Sequence, residues 1–252
     1  MARAPKPFGQ AKPLKRQVPR RERKLGVFVY CEGEVTERFY IEDYFSQVAK
    51  DSQVVLLGIE EGAGSPDTIV KACLAHDAEG DDTIVWAVFD VDEHKDLDAA
   101  LARARDNAIP VSLSDPCFEL WGLLHANSCD KPMSRKQAQR ALAKVMPGFH
   151  HDKNPRFDWT WCVDKIPAAI TNAESGLHNR LKESSVAPKA NPSSNFHYLL
   201  LFAVQPDQAL RKLMLEEARN VCSPPTKKPA AVFPAVGKGA APLTKQKRGT
   251  KR

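Results

Sequence analysis

Two short apolar runs in this chain end abruptly in carboxylates, and no other feature restricts the fold as much. Leu25 to Tyr30 (LGVFVY) stops at Cys31-Glu32-Gly33-Glu34-Val35-Thr36-Glu37, and Thr83 to Phe89 (TIVWAVF) stops at Asp90-Val91-Asp92. Both runs are rich in Val, Ile and aromatic residues, as buried strands of a parallel sheet are. In open α/β sheets the carboxyl edge of the strands is where ligands and metals bind. Several carboxylates converging there repel one another unless a cation neutralises them, so the pattern calls for Mg²⁺ or Mn²⁺.

The rest of residues 25–113 fits such a sheet. Apolar residues at 40, 41, 44, 45 and 48 predict a helix directly after the first acidic cluster, with Thr36 as its cap. The amides of that helix's first turn would point back at the site and favour an anion such as phosphate. Val54 to Ile59 reads as a second strand, 67–79 as a helix, 83–89 as the third strand, 96–108 as a helix and 109–113 as a short fourth strand. This β-α-β-α-β-α-β alternation predicts a mostly parallel sheet with right-handed crossovers. Asp115 and Pro116 read as the cap and first turn of an apolar helix that contains Glu119, a carboxylate costly to bury unless paired or bound to metal. Further helices are expected over 134–146, 165–183 and 195–204, the last capped by the Asn191-Pro192-Ser193-Ser194-Asn195 turn, and two short helical stretches are expected up to 221.

Charge divides the 252 residues into three parts. Residues 1–24 carry nine Lys/Arg and one acid, residues 223–252 carry eight Lys/Arg and no acid, and the stretch between has 20 basic against 30 acidic residues. We therefore read a basic flexible arm (1–24), an α/β core (25–125), a helical extension that completes the domain (126–222) and a basic disordered tail (223–252). Basic tails on an acidic body suit polyanions, because Lys and Arg displace counterions from phosphates. The N-terminus lacks the apolar segment of a secretory signal, and no apolar stretch approaches the ~20 residues of a membrane span. The six cysteines form no CxxC pair and fit no zinc spacing, which suits free thiols in a reducing cytoplasm. A homo-oligomer is compatible with all of this.

Four ordered motifs carry a family resemblance. CEGEVTE after one strand and DVD after another resemble the Toprim signature, a Glu at the end of the first strand and a DxD at the end of a later one. VYCEGEVTERFYIEDYF, VFDVDEH, SDPCFELWGLLH and NPSSNFHYLL together resemble the RloB-like family over about 25–204. The resemblance implies a Toprim-like, Rossmann-like sheet flanked by helices, and a metal-dependent nuclease acting on RNA, with tRNA among the substrates, or on DNA. It further implies a role in defence against phage beside an ABC-type ATPase. Neither tail belongs to the match.

On this reading Asp90 and Asp92 are metal ligands, since strand side chains alternate and a DxD places both on one side. Glu32 matches the first Toprim Glu, a metal ligand or general acid/base. Glu37 matches the second Glu of the motif and joins the catalytic set, and Glu119 would complete the metal site. Arg38, Asn191, Ser194 and His197 are the expected phosphate contacts, although an Asn-Pro-Ser-Ser turn capping a helix also accounts for the last three. Glu34, Glu93 and His94 read as solvated. Two alternatives stand beside the nuclease: a non-catalytic subunit that binds an ATPase or nucleic acid, and a HAD-like phosphotransferase with Asp90 as nucleophile. In the HAD pattern, however, the DxD follows the first strand and continues to Thr or Val where this chain has His94.

Overall fold

Alternation along the third apolar run explains how the sheet is covered. In the computed structural model, which describes residues 24–62, 64–77, 82–91, 94–183 and 190–220, Trp86 and Val88 enter one hydrophobic cluster while Ala87 and Phe89 enter another. Successive side chains of a strand point to opposite faces, so each face of the sheet has its own apolar layer. Asp90 has the parity of Trp86 and Val88, and it therefore points into the first layer.

The strands are β1 (Leu25–Cys31), β2 (Val54–Glu60), β3 (Thr83–Asp90), β4 (Val111–Asp115) and β5 (Ser193–Ser194). Their order is β2-β1-β3-β4-β5; β1 is parallel to β2 and β3, β3 is parallel to β4, and β5 is antiparallel to β4. The expected α/β class, a mostly parallel sheet flanked by helices as in Toprim-like proteins, is what the chain forms. The two-residue β5 is short, and short edges give other chains little to pair with.

Helices α2 (Pro66–Ala75) and α3 (Leu97–Asp106) cover one face through Ile69, Val70, Cys73, Ala100, Leu101 and Ala104. The other face carries α1 (Thr36–Gln47), α4 (Glu119–Leu124), α5 (Arg135–Val145), α6 (Trp159–Cys162), α7 (Ile166–Lys182), α8 (His197–Val204) and α9 (Gln208–Asn220), with a 3-10 turn at Val163–Lys165. On α1 the buried residues are Glu37, Tyr40, Ile41, Tyr44 and Phe45, the i, i+3, i+4 stripe of a helix lying on a core. Helix α8 is apolar on all sides and is enclosed nearly throughout, so it lies inside the domain. A Cβ on Gly122 would press into Leu142 and Phe157, so this glycine sets the close approach of α4 to α5.

Three local expectations are corrected. Thr36 does not cap α1: Val35 is the N-cap, and the Thr36 hydroxyl donates to the Pro155 carbonyl at 3.0 Å. Asp115 does not cap α4: it ends β4, and its carboxylate accepts from the Ala190 N–H at 3.2 Å. One helix, α9, stands where two short stretches were expected. The arm up to residue 23 and the tail from 223 lie outside the described residues, as do Asp92, Glu93 and Cys222. Among the described residues no helix is long and apolar enough to cross a membrane.

Candidate active site

The carboxyl ends of β1 and β3 bring the first two acids together. Register pairs Cys31 with Val88, so Glu32 leaves its strand beside the end of β3. There the Asp90 N–H donates to Glu32 Oε2 at 3.3 Å, and His94 Nε2 donates to Glu32 Oε1 at 3.0 Å. The third acid follows from the turn. Gly33 lies against the Glu37 carboxylate, and a Cβ there would overlap it. The glycine of EGEVTE therefore makes room for the second glutamate, which sits in the first turn of α1 and accepts from its own backbone amide. Glu119, the first residue of α4, adds the fourth acid from the same face of the sheet.

These carboxylates are buried and sense one another. Glu37, Asp90 and Glu119 are 5%, 3% and 4% exposed. Burial, then the neighbouring Glu119 and Glu32, pushes Glu37 up to about 7 against its own amide bond and Arg135. Burial, then Glu37, Glu32 and Glu119, holds Asp90 well above the usual carboxylate range, with Arg135 opposing. The core layer on this face includes an aromatic cluster in which Tyr40, on the helix that carries Glu37, packs edge-on with Phe118, Trp121, Phe157 and Phe196.

Each acid that bonds outward does so to a basic residue. Arg135 Nη2 donates to Asp90 Oδ2 at 3.2 Å, His151 Nδ1 donates to Glu119 Oε1 at 2.8 Å, and His94 holds Glu32. Reading the sequence did not find Arg135 or His151, and it placed His94 in solvent. His94 follows DVDE closely enough for its neighbourhood to be legible, whereas Arg135 and His151 arrive from helix packing that no local pattern announces.

Glu32, Glu37, Asp90 and Glu119 are thus brought to one corner, and Asp92 lies outside the described residues. The four expected phosphate contacts are placed otherwise. Arg38 pairs with Glu42 and Glu61. The Asn191 side chain clamps Met133, accepting from its N–H at 2.8 Å and donating to its carbonyl at 2.9 Å. Ser194 Oγ meets Ser114 Oγ at 3.1 Å across β4 and β5. His197 is fully enclosed beside Tyr198, and burial pushes its imidazole down to about 3. Internal partners occupy Arg38, Asn191 and Ser194, and His197 is buried with neither ring nitrogen hydrogen-bonded among the described residues. Cys31 is no nucleophile: its thiol is buried, donates to the Gly33 carbonyl at 3.4 Å, and is pushed up by burial.

Among the described residues no group of three or more His, Cys, Asp and Glu side chains is arranged as a metal cage. The donor chemistry nevertheless fits a hard divalent cation. The donors are carboxylate oxygens, and burial, with mutual repulsion added to it, raises two of the acids, a cost that a bound cation relieves.

A pH experiment reads the combined cost of burial and repulsion at Glu37. The native Glu37 keeps its proton up to about 7, while the unfolded chain releases it near 4.5. Stability from this group is therefore present below 4.5 and lost as pH rises to 7. Glu37→Gln, studied in EDTA, is expected to match wild type near pH 4 and to be more stable near pH 8, by up to about 3 kcal/mol. Equal melting temperatures at pH 8 would show that the carboxylate is not strained.

Nothing matches this chain among the curated proteins or the solved structures. The family model described as RloB-like protein matches residues 27–201, from within β1 to within α8. That match takes in all four motifs and well over half of the sequence, and the chain belongs to the RloB-like protein family.

Proposed function

We propose that this protein is a metal-dependent nuclease that hydrolyses phosphodiester bonds of RNA, tRNA among them, or of DNA. The observation that carries the reading is the burial of Glu37, Asp90 and Glu119 in one mutually repelling group at the carboxyl edge of the sheet. Such a group lowers stability, and a purely structural role has no need of it. Glu32, Asp90 and Glu119, with Asp92, would hold Mg²⁺ or Mn²⁺. A bound divalent cation supplies charge neutralisation at the phosphoryl oxygens and a more acidic water.

This chain's own residues do the remainder. Glu32 is the most exposed of the four acids at this corner, with 19% of its side chain accessible, and it is oriented by His94. It is the group in reach of solvent that takes a proton from the attacking water. Glu37, raised toward neutrality, exchanges a proton with the leaving oxygen. Burial of Glu37, Asp90 and Glu119 keeps bulk water from these acids. A role as effector of an antiphage system, coupled to an ABC-type ATPase, is the part of the proposal that rests on the family resemblance.

The test incubates the full chain with total tRNA and with plasmid DNA, in Mg²⁺, Mn²⁺ or EDTA. Cleavage of either substrate that EDTA abolishes is the expected result. No cleavage in any metal, and no change in melting temperature with Mn²⁺, would overturn the proposal and favour a non-catalytic subunit.

A further inference from the structure

Among the described residues bonded to the four acids, Arg135 is the one whose charge is permanent. Its side chain is 39% exposed, while that of its partner Asp90 is 4% exposed. The guanidinium thus lies between the buried carboxylates and solvent, where an incoming phosphate would arrive. The surrounding body is acidic, so a polyanion needs a cation at this mouth.

Arg135 is held there by a short chain of contacts. It is the first residue of α5, and Ser134 before it forms a complete capping box with Gln137. Asn191 clamps Met133, one residue earlier, through both backbone polar groups. The NPSSNF segment thereby fixes where α5 begins and where Arg135 starts.

We infer that Arg135 is an exchangeable partner of Asp90: a divalent cation entering the site takes over the Asp90 oxygen, and the displaced guanidinium turns to a phosphate oxygen of the nucleic acid. Two cations on one buried oxygen repel, so arginine and metal compete for it. A planar guanidinium suits two phosphate oxygens better than an ammonium does. Only the phosphate half rests on the nuclease reading; the competition with metal does not.

Two measurements on EDTA-stripped full chain test it, with wild type, Arg135→Ala and Arg135→Lys side by side. The first is Mn²⁺ affinity by calorimetry. The second is anisotropy of a short fluorescein-labelled RNA, and of the DNA of the same sequence, in Ca²⁺. Loss of a charge-assisted bond should make Arg135→Ala bind Mn²⁺ about tenfold tighter and nucleic acid about tenfold weaker. Arg135→Lys should recover part of the second effect, and Arg135→Gln, which removes the charge but keeps the chain length, serves for both measurements if the alanine variant does not fold. Mn²⁺ affinity that is unchanged or weaker in a folded variant lacking the charge (Arg135→Ala or Arg135→Gln) overturns the exchange, as does failure of every form to take up Mn²⁺. Unchanged affinity for both nucleic acids, or none in wild type, overturns the phosphate half. If Mn²⁺ affinity shifts as expected but wild type cleaves neither RNA nor DNA, the nuclease reading fails and the exchange stands.

Discussion

Replacing Asp90 with asparagine is expected to lower metal-dependent cleavage by roughly a thousandfold, since even residues that only support metal ligands commonly cost about 10–100-fold. The same change should raise the melting temperature of the metal-free protein at pH 8. Asp90 is 3% exposed, and its charge is opposed by burial and by Glu37, Glu32 and Glu119. Asparagine keeps the size and still offers Arg135 an oxygen, so the variant loses repulsion without opening a cavity. Opposite signs for activity and stability are the mark of a group kept for chemistry. A variant that cleaves as well as wild type would remove Asp90 from the site. One that is inactive and also less stable would mean that the Arg135 ion pair outweighs the repulsion. Urea unfolding in EDTA, beside a cleavage assay in Mn²⁺, measures both.

The largest effect on stability is expected at Asn195. Its Oδ1 accepts from the Leu113 N–H at 2.6 Å, its Nδ2 donates to the Val111 carbonyl at 2.8 Å, and the residue is 1% exposed. The side chain thus stands in for a neighbouring strand along the part of β4 that the two-residue β5 does not reach. Asn195→Ala leaves a donor and an acceptor of β4 buried and unsatisfied, each costing about 1–3 kcal/mol, and removes packed atoms as well. A total loss of about 4 kcal/mol is expected, which lowers the melting temperature of a chain this size by about 10 °C. Asn195→Asp should do no better, because it restores the acceptor but not the donor and adds a buried charge. A loss below about 1 kcal/mol would mean that water reaches this edge.

The two glutamate-bearing motifs and the asparagine segment differ in how much of them could be read. CEGEVTE was legible because its parts are consecutive: a strand ends, a glycine turns and a helix begins, so Glu32 and Glu37 face the same space. The NPSSNF segment suggested phosphate contacts because Asn, Ser and His are ligand-like residues. Its polar groups instead meet Met133, Ser114, Leu113 and Val111, partners far away in sequence. Asp115 was taken for a helix cap on the strength of the Pro that follows. A strand neighbour at Ser193 and a bond from Ala190, both distant, made it the end of β4.

The fold class and the positions of the principal strands and helices were written in the order of residues, because apolar alternation and helical spacing are properties of neighbours along the chain. So was the convergence of Glu32, Glu37 and Asp90, since strand parity and right-handed crossovers deliver strand ends to one edge. Which basic side chain answers each acid was decided in three dimensions. Arg135 reaches Asp90, and His151 reaches Glu119, because α5 and the loop after it pack on α4 across the small face of Gly122. Periodicity marks the face of a helix that seeks a partner; volume, crossing and closure choose the partner, and with it the charge that meets a buried carboxylate.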